Sequence, residues 1–470
     1  MLRGDGRGER FALLHSSEVA QFRGATPADQ GRASSSHHEF ETGDEMKRWG
    51  VRVRGLGTLL IAGLAACVTV PGMWSALKTL EGTFAVSSPP EPAVVATNGL
   101  GHTLAVWDPI GIPRYAEHTK GGAWSLSRPV VIGAVGQFTA AAIGDDETAA
   151  VAWVTIATEF TPAYVVASVR DPGGSFPAPT QVALGTSVYY LKLGVAGDGS
   201  TTLVWAAPAG ILASTRAPLG TWSTPIQLSA SGAGAGLPDL AVNGAGAALA
   251  VWQQGSAGNP SAIGTAYRPA GGGWESPRVL PSGSGLATWN PKPGLDAAGN
   301  AAVGYLDGYA MVVTSRKPTS DWDVPAQVSP ATQTVYYPAL AMDGAGDVIA
   351  AWQALDAGNV GTVYVRPRPA GGNWGTTTRL SAASDDAQWP TAAYAGDGSL
   401  AVVSWIDNWT NEARASVGTV TANWSRTTLG AGWWGSHVPV AAGGGSAVAT
   451  WATVVGGNPN AASLVAKTFE

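Results

Sequence analysis

The sequence predicts an all-β repeat protein, and three observations support this. One unit recurs eight times: a strand entered after a proline or an aromatic, a small Gly-rich turn, then a second strand ending in an aromatic. It is plainest in LPDLAVNGAGAALAVWQQ around Trp252 and YPALAMDGAGDVIAAWQA around Trp352. The closing aromatics are Trp107, Trp153, Trp205, Trp252, Tyr305, Trp352, Trp405 and Trp451, at spacings of 46, 52, 47, 53, 47, 53 and 46 residues. A fixed period of this length marks a repeat architecture. The apolar runs are short, rich in Val, Ala, Thr and Tyr, and bounded by Gly, Pro, Asn or Asp, which is the pattern of strands joined by tight turns. Long apolar patterns of helical period are absent from the repeats.

Each unit continues past its closing aromatic. A third run follows, such as GTVYVRPR to Arg368, then a Gly-rich turn carrying a second aromatic, as in PAGGNW to Trp374, then a short fourth run. Four short antiparallel strands per period describe one propeller blade rather than a coil of a β-solenoid. The expected fold is therefore an eight-bladed β-propeller of four-stranded antiparallel blades. The last unit has no fourth strand before the C-terminus, whereas Trp74 in PGMWSALKTL lies upstream of the first unit at nearly the spacing of the other turn aromatics. The N-terminal segment, about residues 73–80, is thus expected to complete the last blade with residues 437–469. That exchange closes the ring and removes an exposed edge.

Upstream, the sequence divides at Met46. Residues 1–45 are polar and without periodicity, expected to be disordered or an upstream segment read from too early a start. Residues 46–70 run from the basic MKRWGVRVRG into the apolar LGTLLIAGLAACVTV, the layout of a secretory signal. A lipoprotein signal and a short membrane anchor are the alternatives. The single cysteine, Cys67, sits in LAAC, which resembles the lipobox of bacterial lipoproteins and implies lipidation there. Residues 71–470 make up the propeller. The expected location is secreted or in the cell envelope, with membrane contact only through an N-terminal lipid or helix.

Composition narrows the partners. With 27 Lys+Arg against 33 Asp+Glu and no basic stripe, the chain is not expected to bind nucleic acid. No nucleotide, zinc-protease or hydrolase fingerprint occurs, so neither a cofactor nor a metal is expected. Turns around Asp296, Asp343, Asp347 and Asp397 lack the ligand run of a calcium loop.

Most of the 20 tryptophans recur with the repeat and are expected to pack between blades. The arginine six residues before the turn aromatic (Arg170, Arg216, Arg268, Arg316 and Arg368) is expected to stack on that ring. The remaining aromatics fall in the connections leading into first strands or between second and third strands, which an up-and-down blade presents at one end. They include Trp289, Tyr337, Trp389, Trp409, Trp433 and Trp434, with Phe138, Tyr189, Tyr190 and Tyr336 at matching places. Asp407 and Asn408 precede Trp409. Rings beside carboxylates and amides suit a sugar, so Trp289, Tyr337, Trp389, Asp407, Asn408, Trp409, Trp433 and Trp434 are the candidate ligand residues. Wedging of these rings between blades is the competing explanation.

The Gly-Gly-x-Trp turns resemble a degenerate Asp-box, the turn of sialidase- and lectin-like propellers, in bacterial exported repeat proteins. Asp321 in TSDW is displaced from the motif's position, and the arginine cluster and Tyr–Glu pair of a sialidase site match nothing in this chain. The resemblance implies the fold and a broad superfamily. Three functions remain open: a non-catalytic glycan binder, a scaffold or adhesion protein for an envelope partner, and a glycoside hydrolase or lyase drawing on Asp385, Asp386, Asp407 and Glu412.

Overall fold

The structure is a computed structural model. It describes residues 72–85, 92–108, 111–132, 136–157, 162–184, 188–256, 259–282, 288–421, 423–433 and 436–470. The upstream segment, the proposed signal, Cys67 and Trp434 lie outside these residues. The described residues contain no helix and form eight four-stranded antiparallel sheets. Blades 1 to 7 follow in chain order as residues 94–129, 136–184, 189–227, 236–279, 288–327, 334–379 and 387–431. Blade 8 takes three strands from residues 440–469 and its fourth, Lys78–Ala85, from the N-terminal segment. The eight first strands touch one another in sequence around a closed ring, the last meeting the first. The molecule is therefore an eight-bladed propeller whose first strands surround the axis.

The closing strand starts later than the sequence reading placed it. Lys78 pairs with Ala466 and Ala85 with Ala461, while Trp74 makes only a bridge to Phe469. The spacing explains the difference. In blades 1 to 6 the fourth strand begins four residues after the turn aromatic, as from Trp124 to Arg128 or Trp374 to Thr378, and Trp74 to Lys78 repeats that interval. Trp74 is the turn aromatic of blade 8, packed edge-on against Phe469 at 5.6 Å.

Second strands such as Ala301–Asp307 and Ala401–Asp407 are buried along their whole length. A neighbouring blade covers each face, so they read as continuous apolar runs instead of alternating ones. The core accordingly consists of separate layers between blades. Eight such layers each hold one closing aromatic and, at the margin, one turn aromatic, for example Trp352 with Trp374 and Trp405 with Trp424. The expected arginine stacking is present in four of five copies: Arg170 on Phe176, Arg268 on Trp274, Arg316 on Trp322 and Arg368 on Trp374, at 5.1–5.9 Å. Several of these guanidinium groups also bind the preceding blade. Arg170 pairs with Glu117 at 2.6 Å and Arg316 with Glu275 at 3.0 Å.

At one end of the ring, the turns between first and second strands join blade to blade. The Asn98 side chain donates to the Gly144 carbonyl, the Asn243 side chain to the Asp296 carbonyl, and the Gly344 amide to the Gly396 carbonyl. Contact is so close at Gly344 that an added Cβ would stand 2.6 Å from the Gly396 oxygen. Glycine is required there by proximity of backbone to backbone.

Candidate ligand site

The opposite end of the ring is built differently. In six consecutive first strands, blades 2 to 7, pairing with the second strand skips a step. The skips fall between Gln137 and Ala140, Tyr189 and Lys192, Gly236 and Asp239, Trp289 and Lys292, Tyr336 and Ala339, and Gln388 and Thr391. Within each bulge stands a non-glycine residue with positive φ: Phe138 (58°), Tyr190 (55°), Leu237 (48°), Asn290 (49°), Tyr337 (46°) and Trp389 (52°). A bulge re-aims the side chain it carries. Except for asparagine, these are residues for which that conformation is costly, by about 1–2 kcal/mol each. The fold repeats the conformation six times around one rim, and its cost five times.

The rim is held from the preceding blade. Gln353 is buried and directly follows the closing Trp352; its Oε1 accepts the Trp389 amide at 3.1 Å, and its Nε2 donates to Gln388 Oε1 at 2.6 Å. Gln253, directly after Trp252, accepts the Asn290 amide at 3.2 Å in the same manner. The rings gather in two groups. Tyr337 meets Trp389 edge-on at 6.3 Å, and Trp389 meets His437 of blade 8 at 5.5 Å. Across blades 2 and 3, Phe138 meets Tyr189 at 5.8 Å and Tyr189 meets Tyr190 at 6.4 Å.

The sequence-derived candidates separate accordingly. Tyr337 and Trp389 stand at the rim position, Trp389 also packing against the layer between blades 7 and 8. Trp289 sits one residue before the rim position held by Asn290 and packs against the layer between blades 5 and 6. Trp433 is buried against Ala452 and Ala462 of blade 8, so it is a packing residue and no contact surface. Asp407 is fully buried, which corrects its expected place at the surface. Trp409 projects from the four-residue hairpin between Asp407 and Glu412 with 58% of its surface exposed. Because Asp407 pairs with Ala387, that hairpin lies at the same end of blade 7 as the Trp389 bulge. Asn408 stands beside it, its amide donating to the Asp386 carbonyl.

The carboxylates considered for catalysis are largely engaged. Arg414 binds Asp407 and Glu412 at 2.9 Å each and Asp385 at 3.6 Å, and Arg426 also reaches Asp385 at 3.6 Å. Asp386 accepts from the Gly361 amide at 2.7 Å and from Gln388 at 2.6 Å. These bonds connect the hairpin to the rim: Asp407 accepts the Asp386 amide, Asp386 holds Gln388, and Gln388 meets Gln353 beneath Trp389. No group of three or more metal-ligating side chains occurs among the described residues.

Sequence reasoning placed Phe138 and Tyr190 near the site without selecting them, and passed over Leu237 and Asn290. The available signal was the proline that follows the rim residue in blades 4 to 7, Pro238, Pro291, Pro338 and Pro390. It marks the position in the unit and leaves the sign of φ unspecified.

No protein-family model matches the chain, and no curated protein matches it in sequence. Solved structures do match. A lectin from Burkholderia pseudomallei is similar at 17% identity with a TM-score of 0.51, covering 72% of this chain and 99% of its own. An α-L-arabinofuranosidase from Fusarium graminearum matches at 14% identity and a TM-score of 0.39, covering 60% of this chain and 93% of its own. At 17% identity the lectin match establishes the fold alone.

Proposed function

We propose that this protein is an exported, non-catalytic propeller that binds a glycan at the rim of its axial channel. The observation that carries the reading is the set of six positive-φ residues at one position of consecutive first strands. Backbone strain of this kind persists where the surrounding structure enforces it, and it concentrates at binding and active sites. Here it aims Phe138, Tyr190, Tyr337 and Trp389 from the same level of the ring. Sugars present apolar C–H faces that stack on such rings and hydroxyl groups that need donors and acceptors. The exposed Trp409 and the neighbouring Asn408 extend the surface over blade 7. The absence of catalysis is argued from the carboxylates: glycoside hydrolysis needs two carboxyl groups free to act at a set separation, whereas Asp385, Asp407 and Glu412 share Arg414. Export, with lipid attachment at Cys67, rests on the basic-then-apolar layout of residues 46–70. The likeness to a lectin agrees with this reading through the fold.

The test is a glycan and polysaccharide array probed with the purified protein beside its Trp389→Ala, Trp409→Ala double variant. Selective binding that the variant loses is the expected result. A blank array from folded protein would abandon the glycan and direct the search to an envelope-protein partner.

A further inference from the structure

We propose that the axial channel just inside this rim carries an anion subsite formed by Lys192 and Lys292, and that the bound glycan is therefore acidic. The inference rests on the glycan reading above and specifies its ligand class as a sugar bearing a carboxylate or a sulfate.

Register places the subsite. Lys192, Asp239 and Lys292 each lie two residues beyond a rim residue, opposite Val204, Val251 and Gly304, one step before the closing aromatics of blades 3, 4 and 5. The matching residues of blades 1, 2, 6 and 7 are Val94, Ala140, Ala339 and Thr391, all uncharged. At this level of the ring, charge is confined to three adjacent blades.

Those three charges do not balance. The Lys192 and Lys292 ammonium groups each approach one oxygen of Asp239, both at 3.4 Å. Burial opposes ionisation of Asp239, yet the two ammonium groups, with the Leu240 amide, hold its carboxyl below the usual range. At neutral pH the trio therefore carries one net positive charge, inside a protein whose formal net charge is −6. Only seven lysines occur in the whole chain, and two of them are here.

A purely structural clamp would account for the trio poorly. Both contacts are long, and the lysine side chains keep 42% and 39% of their surface exposed. Pairs of that kind contribute little to stability. Both lysines lie on first strands, which surround the axis, so their exposed surface is accessible on the inner side of the ring. Each ammonium has three donors; Lys292 spends one on Asp239 and Lys192 only pairs with it ionically, so both can bind an incoming anion with charge-assisted hydrogen bonds. A sugar stacked on the rim above would place its acidic group within this level.

The experiment measures affinity of the full protein for polygalacturonate, a sulfated dextran and unmodified dextran, at low and high salt. At least one acidic polymer is expected to bind tenfold or more tighter than the neutral one, with the preference shrinking as salt rises. Polygalacturonate alone would identify a carboxylate ligand, and sulfated dextran alone a sulfate. Lys192→Gln, Lys292→Gln should abolish the preference. Asp239→Asn removes the competing carboxylate and should tighten acidic binding several-fold; a merely structural trio would not produce that gain. Should the double lysine variant fail to fold, the Asp239→Asn result and the salt series decide. Equal affinity for acidic and neutral polymers, or a preference that survives the lysine changes, would overturn the anion subsite and leave the glycan reading standing. Failure of every polymer and of the array, with Trp389→Ala silent as well, would overturn both.

Discussion

The two ends of the inner ring meet one geometric demand in opposite ways. Both require positive φ. At the turn end it falls on glycines such as Gly346 (97°) and Gly398 (72°) in every blade but the second, where Glu147 (70°) takes the position, and neighbouring turns touch backbone to backbone. At the rim end it falls on Phe138, Tyr190, Leu237, Asn290, Tyr337 and Trp389. Glycine would relieve the rim at no steric cost, and this chain uses 63 glycines freely elsewhere. Retaining side chains at the strained end indicates that the side chains are what that end is for. The turn end builds the ring, and in the function proposed above the rim end is where the ring meets a ligand.

Substitutions can break or sharpen that contrast. The largest effect belongs to the layers from which both ends hang. Trp352 is fully buried, and its Nε1 donates to Gln333 at 2.8 Å. Trp352→Ala should cost about 3–5 kcal/mol in chemical denaturation, and the loss should be global, lowering stability without any ligand present. At the turn end, Gly344→Ala forces its new Cβ against the Gly396 carbonyl. A loss of about 1–3 kcal/mol is expected, with glycan affinity per folded molecule unchanged. If that variant instead weakened binding as strongly as Trp389→Ala, the division of labour between the ends would fail.

Gln353 tests whether the rim is held in place on purpose. Gln353→Leu keeps the volume but removes the acceptor of the Trp389 amide and the partner of Gln388. Leaving these half-buried groups without those partners should cost about 1 kcal/mol. Binding should weaken too, although Gln353 itself is almost inaccessible to a ligand. Titration of a glycan found on the array, together with the denaturation curve, separates the two effects.

How much was legible beforehand follows from what a repeat writes into sequence. Blade number and closing aromatics were readable because the unit is copied eight times, and the stacked arginines because theirs is copied five times; packing between blades selects the same kind of residue at each copy. The exchanged strand was readable from Trp74, although its start was misplaced by five residues. The site was less legible. Trp433 and Trp409 look alike as aromatics in a connection, yet one is buried and the other exposed, because loop paths do not repeat. Asp407 looks like a surface acid until Arg414 is seen beside it, since that pairing joins residues of different strands. The rim bulges were invisible because φ depends on how a strand pairs, and in blade 4 the residue concerned is an ordinary leucine.

The smallest predicted effect discriminates best because its sign is unusual. Tyr190 is 37% exposed and left-handed, and its ring touches Tyr189. Replacing it by glycine removes a conformational penalty of about 1–2 kcal/mol. Glycine gives back about 0.5–1 kcal/mol through the freedom it gains in the unfolded chain. The net expectation for Tyr190→Gly is a protein more stable by up to about 1 kcal/mol, after allowing for the lost ring contact, and weaker in glycan binding. Tyr190→Ala keeps the strain, loses the ring and should be the less stable of the two. A glycine variant that gained stability while binding as before would show that Tyr190 is strained for no ligand's sake, and the site would contract to the rings of blades 6 to 8. A glycine variant that lost stability would mean that the surroundings of Tyr190 repay its strain through packing, which would make this part of the rim a second piece of the ring's construction.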